Sequence, residues 1–280
     1  MARATPSSVA LTGMIILYHS GFVCTSSVCA VCVSFPSLDS GSTPFPRTGR
    51  TRLMHAASLG RLARVQALLA RGACADVADA GGATPLFYAA QGGHLGVVRA
   101  LLARGASHRL CTQDGATPLS ISCHLGHEGV AKELIAVGAA VDDMGRGFTA
   151  LFAASQEGHA GIASALIAAG ASVDLQSTDG CAPLFVAASE NRASVVKVLL
   201  AAGAKVDILT FERVSPLLVA AEEGHLEVCR MLLDAGADPT CRASDGWTPL
   251  AVAKKRNKLA CLKLLKERLA LREKEAANVD

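Results

Sequence analysis

Residues 81–108 read G-G-A-T-P-L-F-Y-A-A-Q-G-G-H-L-G-V-V-R-A-L-L-A-R-G-A-S-H, a helical hairpin with both ends marked. The Thr84 hydroxyl can cap a helix, and Pro85 fills the first helical position, where a missing N–H costs nothing. Leu86, Ala89 and Ala90 give the first helix a smooth face. Gly92-Gly93 breaks it, and Leu95, Val97, Val98, Leu101 and Leu102 recur at helical spacing in a second, more apolar helix. Gly105 ends that helix, because glycine takes the left-handed conformation at a C-terminus without a Cβ penalty. Two helices of this size cannot bury their apolar faces alone, so something must stack on them.

The rest of the chain supplies it. Aligned on Thr84, the unit returns at Thr51, Thr117, Thr149, Ala182, Ser215 and Thr248, in steps of 33 residues with one step of 32. Proline follows at Pro85, Pro118, Pro183, Pro216 and Pro249, and a terminating Gly-Ala pair recurs from Gly72-Ala73 to Gly236-Ala237. G-H pairs stand between the helices at Gly93-His94, Gly126-His127, Gly158-His159 and Gly224-His225.

T-P-L at the first helix, G-H between helices, V-V-x-x-L-L in the second and then G-A: this pattern resembles the ankyrin repeat. The resemblance covers about 220 residues and implies an all-α solenoid of seven helix-turn-helix units joined by β-turn fingers. It speaks to fold far more than to function. Where the family usually has His after T-P-L, this chain has Phe87, Ser120, Phe152, Phe185, Leu218 and Ala251, which exchanges polar contacts for apolar packing. The 32-residue step places a deletion between Gly138 and Gly147, so that finger is expected to be shorter or kinked. The first and last units should cap the stack, with Arg61, Arg64, Lys254, Lys255, Arg256 and Lys258 turned to water. A charged tail, residues 267–280, follows the 47–266 repeat domain, and the last helix should run on past Cys261.

Composition narrows the function classes. A formal charge of +3, with 4% aromatics and no basic stripe, gives no footprint for nucleic acid. From residue 47 onward charges interrupt every apolar run, so no span there can cross a bilayer. Seven of the ten cysteines lie singly in the repeat region, which fits free thiols in a reducing compartment, cytosolic or nuclear. Residues 1–46 differ: Ala4 to Leu38 carry no formal charge. They read as a poorly ordered extension, as a signal peptide cleaved near Val28-Cys29-Ala30, or as an anchor within residues 9–32. Cys24, Cys29 and Cys32 match an iron–sulfur loop spacing but lack a distant fourth ligand and a surrounding β-rich fold.

No phosphate loop, nucleophile elbow or metalloprotease helix is present, and no cofactor is expected. The G-H histidines fall one to a repeat, too far apart for one ion, and read as structural. Asp142, Asp174 and Asp207, at the starts of fingers, read as turn residues. Binding remains. The resemblance implies that fingers and first helices line a concave groove, reached by the residue before each Thr position and the two residues seven and eight after it. Down the stack those pairs are Ser58/Leu59, Gln91/Gly92, His124/Leu125, Gln156/Glu157, Ser189/Glu190, Glu222/Glu223 and Lys255/Arg256. Glu157, Glu190, Glu222 and Glu223, edged by Phe148, Phe211 and Trp247, suit a basic, partly apolar protein segment bound by a monomeric, non-enzymatic scaffold or adaptor. Two alternatives stand beside it: a membrane-tethered adaptor anchored through residues 9–32, and a substrate-recruiting subunit of a ubiquitin-ligase-type complex. No small-molecule substrate is expected.

Overall fold

The computed structural model describes residues 49–277, with side chains to residue 274. Among the described residues are fourteen α-helices and no extended strand. They form seven hairpins: α1 (Arg52–Ser58) with α2 (Leu62–Ala70), α3 (Pro85–Gln91) with α4 (Leu95–Leu102), α5 (Pro118–His124) with α6 (Glu128–Ala136), α7 (Ala150–Glu157) with α8 (Ala160–Ala168), α9 (Pro183–Ser189) with α10 (Ala193–Ala201), α11 (Pro216–Glu223) with α12 (Leu226–Asp234), and α13 (Pro249–Lys255) with α14 (Leu259–Ala277). The first helices stack in one row and the second helices in another. The signal, anchor and Cys24–Cys29–Cys32 expectations fall outside the described residues.

Each hairpin starts as the sequence predicts. The hydroxyl of Thr84 accepts from the Phe87 backbone N–H at 3.2 Å, and Thr51, Thr117, Thr149, Ser215 and Thr248 cap their helices in the same way. Each cap contributes on the order of 1 kcal/mol. Ala182 has no side chain to cap α9, which relies on Pro183 at its first position. Two residues after each cap stands a leucine: Leu53, Leu86, Leu119, Leu151, Leu184 and Leu217 are fully buried. This column is the spine of the core, where truncating one leucine to alanine costs about 2–5 kcal/mol.

Two ladders lock one repeat to the next. His94 Nε2 lies 3.1 Å from the Ser58 carbonyl, and His127, His159 and His225 make the same contact to Gln91, His124 and Ser189. Where Asn191-Arg192 replaces G-H, Arg192 Nε donates to the Gln156 carbonyl at 2.9 Å. Each side chain thus satisfies a carbonyl left free at a helix end, in the preceding repeat. The second ladder corrects the reading of the finger aspartates as local turn residues. Asp76, Asp142, Asp174 and Asp207 accept the backbone N–H of Ser107, Ser172, Lys205 and Asp238, thirty or thirty-one residues onward. A carboxylate reaches a backbone donor in the next unit, so these residues hold repeats together rather than shape one turn.

The deletion falls in a finger that tightens into a 3-10 turn, Gly145–Gly147, with Arg146 at φ 61°. At the far end α14 is 19 residues long and reaches Ala277. Arg268 pairs with Asp234, and Arg272 Nη1 lies 2.8 Å from Asp238 Oδ1, so the helix is strapped to the preceding unit.

Candidate functional site

Because the histidine ladder occupies carbonyls at the ends of the first helices, the side chains there are what a ligand would meet. Eight residues after each cap the column reads Leu59, Gly92, Leu125, Glu157, Glu190, Glu223 and Arg256. At the opposite ends of the same helices, before the caps, run the fingers, linked backbone to backbone: Gln113 N–H donates to Gly81 O at 2.8 Å, Thr178 N–H to Gly147 O at 2.8 Å, and Ser244 N–H to Glu212 O at 3.0 Å.

The structure sorts the predicted residues into occupied and available ones. Glu222 is occupied: Arg256 Nε and Nη2 donate to its Oε1 at 3.0 and 2.5 Å. Glu157 faces His124 Nδ1 at 3.7 Å. Phe148 is half-buried with its ring 5.5 Å from that of Phe152. Trp247 is half-buried under Lys255, whose ammonium stands 4.3 Å from the ring centroid, a cation–π contact. Glu190 and Glu223 are exposed, and no hydrogen bond or ion pair within 4.0 Å reaches either among the described residues. Phe211 is 73% exposed, the most exposed large apolar side chain among the described residues.

Phe211 has local reasons to stand out. Its ring lies over Gly180 of the preceding finger, where a Cβ would come within 2.8 Å of it. Arg213, two residues on, takes φ 61° at the position where the other fingers carry Gly82, Gly115, Gly147, Gly180 and Gly246. The surrounding potential is negative. Burial, then Asp179, then Glu212, push the thiol of Cys181 up to about 11. Residues 149–247 carry twelve Asp/Glu against six Lys/Arg, while residues 49–148 carry seven against ten and residues 248–280 four against nine. An acidic middle therefore lies between two basic ends.

A profile of ankyrin repeats matches residues 37–110, 104–177, 161–243 and 217–279. The chain belongs to the ankyrin-repeat family. The human ASB11 ankyrin repeat domain is 31% identical, with a TM-score of 0.73, over 77% of this chain and 98% of that one. The ankyrin repeat domain of Bcl-3, described as a unique member of the IkappaB protein family, is 28% identical, with a TM-score of 0.67, over 77% of this chain and 99% of that one. No curated protein sequence matches the chain.

Ankyrin repeats are in general protein–protein interaction modules. The described part of this one gathers no group of three or more His, Cys, Asp or Glu able to hold a metal, and the histidines of its G-H pairs serve the carbonyl ladder instead. No helix among the described residues is long and apolar enough to cross a membrane. Two surface residues were not singled out from sequence: Leu59 and Leu125, 48% and 43% exposed. The signal was available, since they occupy the same place in their repeats as Glu190 does in its own.

Proposed function

We propose that this ankyrin-repeat protein is a non-enzymatic adaptor, acting as a monomer, whose concave face in repeats four to six binds a basic, partly apolar protein segment. The observation that carries the reading is Phe211, 73% exposed beside the carboxylates Asp179 and Glu212, with the exposed carboxylates Glu190 and Glu223 at the far ends of the first helices of the same repeats. An aromatic anchor supplies contact area, and the carboxylates steer and orient a cationic partner. Rigid, preformed helices present this surface with little ordering cost. Of the four glutamates of the ladder, Glu190 and Glu223 bear the interaction. Glu222 is bound to Arg256, and Glu157 is turned to His124. A cytosolic or nuclear setting is supported by the seven cysteines of the described region, none of them in a disulfide.

The test is affinity capture with mass spectrometry, using the full chain beside the Phe211→Ala, Glu190→Lys, Glu223→Lys variant. All three positions are exposed, so helicity and thermal midpoint should match the parent. A partner retained by the parent at low salt, released by salt and missing from the variant supports the groove. Identical capture by both proteins sinks it.

A further inference from the structure

The column of side chains eight residues after the caps changes character along its length, and this carries the proposed binding surface one step further. In repeats one to three it is uncharged: Leu59, Gly92, Leu125. The two leucines are about half exposed, with a bare glycine between them. A Cβ on Gly92 would meet the His94 ring at 2.5 Å and the Ser58 carbonyl at 3.3 Å, so the notch between the leucines is fixed by the carbonyl ladder itself. In repeats four to six the same column is Glu157, Glu190 and Glu223, and in the last it is Arg256. One face thus presents an apolar half, an acidic half and a basic stop.

We infer that the partner is an amphipathic segment with its charge divided end from end, docked in one fixed placement. Its apolar residues seat on Leu59 and Leu125, and its basic residues lie along Glu190 and Glu223. This rests on the proposed function. Charge complementarity sets the placement at three points. The acidic column attracts cations, the uncharged column gives them nothing, and at the far end the column closes on Arg256, whose pairing with Glu222 leaves no carboxylate there to bind them. Stacked helices lie about 10 Å apart, so Leu59 to Glu223 spans five steps, about 50 Å. An extended segment of about 15 residues covers that distance, or a helix of about 33.

The experiment uses the full chain and a fluorescent synthetic peptide of about 36 residues, long enough to reach from Leu59 to Glu223 as a helix or extended, leucine-rich in one half and lysine/arginine-rich in the other. A benzophenone is placed at either end, and crosslinks are mapped by mass spectrometry. A peptide of the same composition with the residues evenly mixed serves as comparison. Crosslinks from the apolar end should fall in repeats one to three, and those from the basic end in repeats five and six. The Leu59→Asp, Leu125→Asp variant should bind about tenfold more weakly with its salt dependence kept, as expected for losing buried leucine contact. The Glu190→Lys, Glu223→Lys variant should bind more weakly and lose the salt dependence.

Several results overturn the placement while leaving the proposed function standing. They are full affinity in the leucine variant, both ends crosslinking within repeats four to six, or the mixed peptide binding as tightly. Binding that ignores salt and both variants overturns the two readings together. Concentration-dependent self-association without peptide, abolished by the leucine variant, would make a second copy the occupant and also overturn the assignment.

Discussion

Two fingers of this solenoid hold an arginine in the left-handed region, and they treat it differently. In the finger shortened by the deletion, Arg146 has φ 61°, and its Nε lies 2.6 Å from Asp114 Oδ2 in the preceding finger. Burial raises the Asp114 carboxyl, but the Thr112 hydroxyl and then Arg146 outweigh it and hold the carboxyl below its ordinary range. In the finger of Phe211, Arg213 has φ 61° and no ion pair or side-chain hydrogen bond among the described residues. A bulky residue in this region costs on the order of 1–3 kcal/mol. One finger offsets its strain with a cross-repeat ion pair. The other leaves it in place and displays an aromatic beside it. The first departure repairs a chain shortened by one residue. The second has no structural repair to make, which marks that finger as the one under a different demand.

The largest expected effect lies in the repaired finger. A Cβ on Gly145 would run into the Gly115 carbonyl oxygen, which is backbone and cannot swing away. Gly145→Ala should therefore cost about 3 kcal/mol in chemical denaturation, at the upper end for a surface turn. Loss under 1 kcal/mol would mean the two fingers are not packed as described. Gly180→Ala should cost less, about 2 kcal/mol, because half of its penalty is the Phe211 ring, which can move. In a Phe211→Ala background the same change should cost about 1 kcal/mol, the part due to φ +77° alone. Equal costs in both backgrounds would show that Phe211 does not rest on Gly180.

This contrast also separates what the sequence discloses from what it hides. The caps, the leucine column and the repeat boundaries are local chemistry recurring at a fixed period, so they are legible residue by residue. The structural role of His94, His127, His159 and His225 follows from the same period. Their carbonyl partners, and the substitution of Arg192 into the series, need the stack. The aspartates mislead for a physical reason: a carboxylate at a finger's start serves a turn and a neighbouring repeat equally well on paper. The acidic ladder shows the same limit. The reversal of sign at Lys255 and Arg256 is visible in the sequence, but only side-chain reach decides that Arg256 takes Glu222 and Lys255 covers Trp247.

Relieving the arginines sharpens the comparison at about 1 kcal/mol. Arg213→Gly should stabilise the protein by about 1 kcal/mol, the strain removed less the chain entropy glycine adds. Arg146→Gly should come out near zero, since relief of strain is offset by the lost pair with Asp114, worth up to about 1 kcal/mol at this exposure. Thermal midpoints moving in parallel for the two variants would erase the distinction between the fingers.

The smallest effect reads the field around Phe211 directly. Cys181 sits in the preceding finger, next to the Gly180 on which Phe211 rests, with its thiol held to about 11 by burial first, then by Asp179 and Glu212. The pH profile of alkylation at this one thiol should therefore rise throughout the range from 8 to 10 without a plateau. In Asp179→Asn, Glu212→Gln the profile should move to lower pH and the rate at pH 9 should rise severalfold. It should still lie above the ordinary thiol range, because burial remains. The linkage follows the same sign. The folded thiol keeps its proton to about 11 and the unfolded one only to 9.0, so this group leaves stability flat below pH 9 and lowers it as pH rises from 9 towards 11. The double variant should shrink that loss. An unmoved alkylation profile would mean that the carboxylates do not act on the site beneath Phe211, and the difference between the two fingers would then reduce to backbone strain alone.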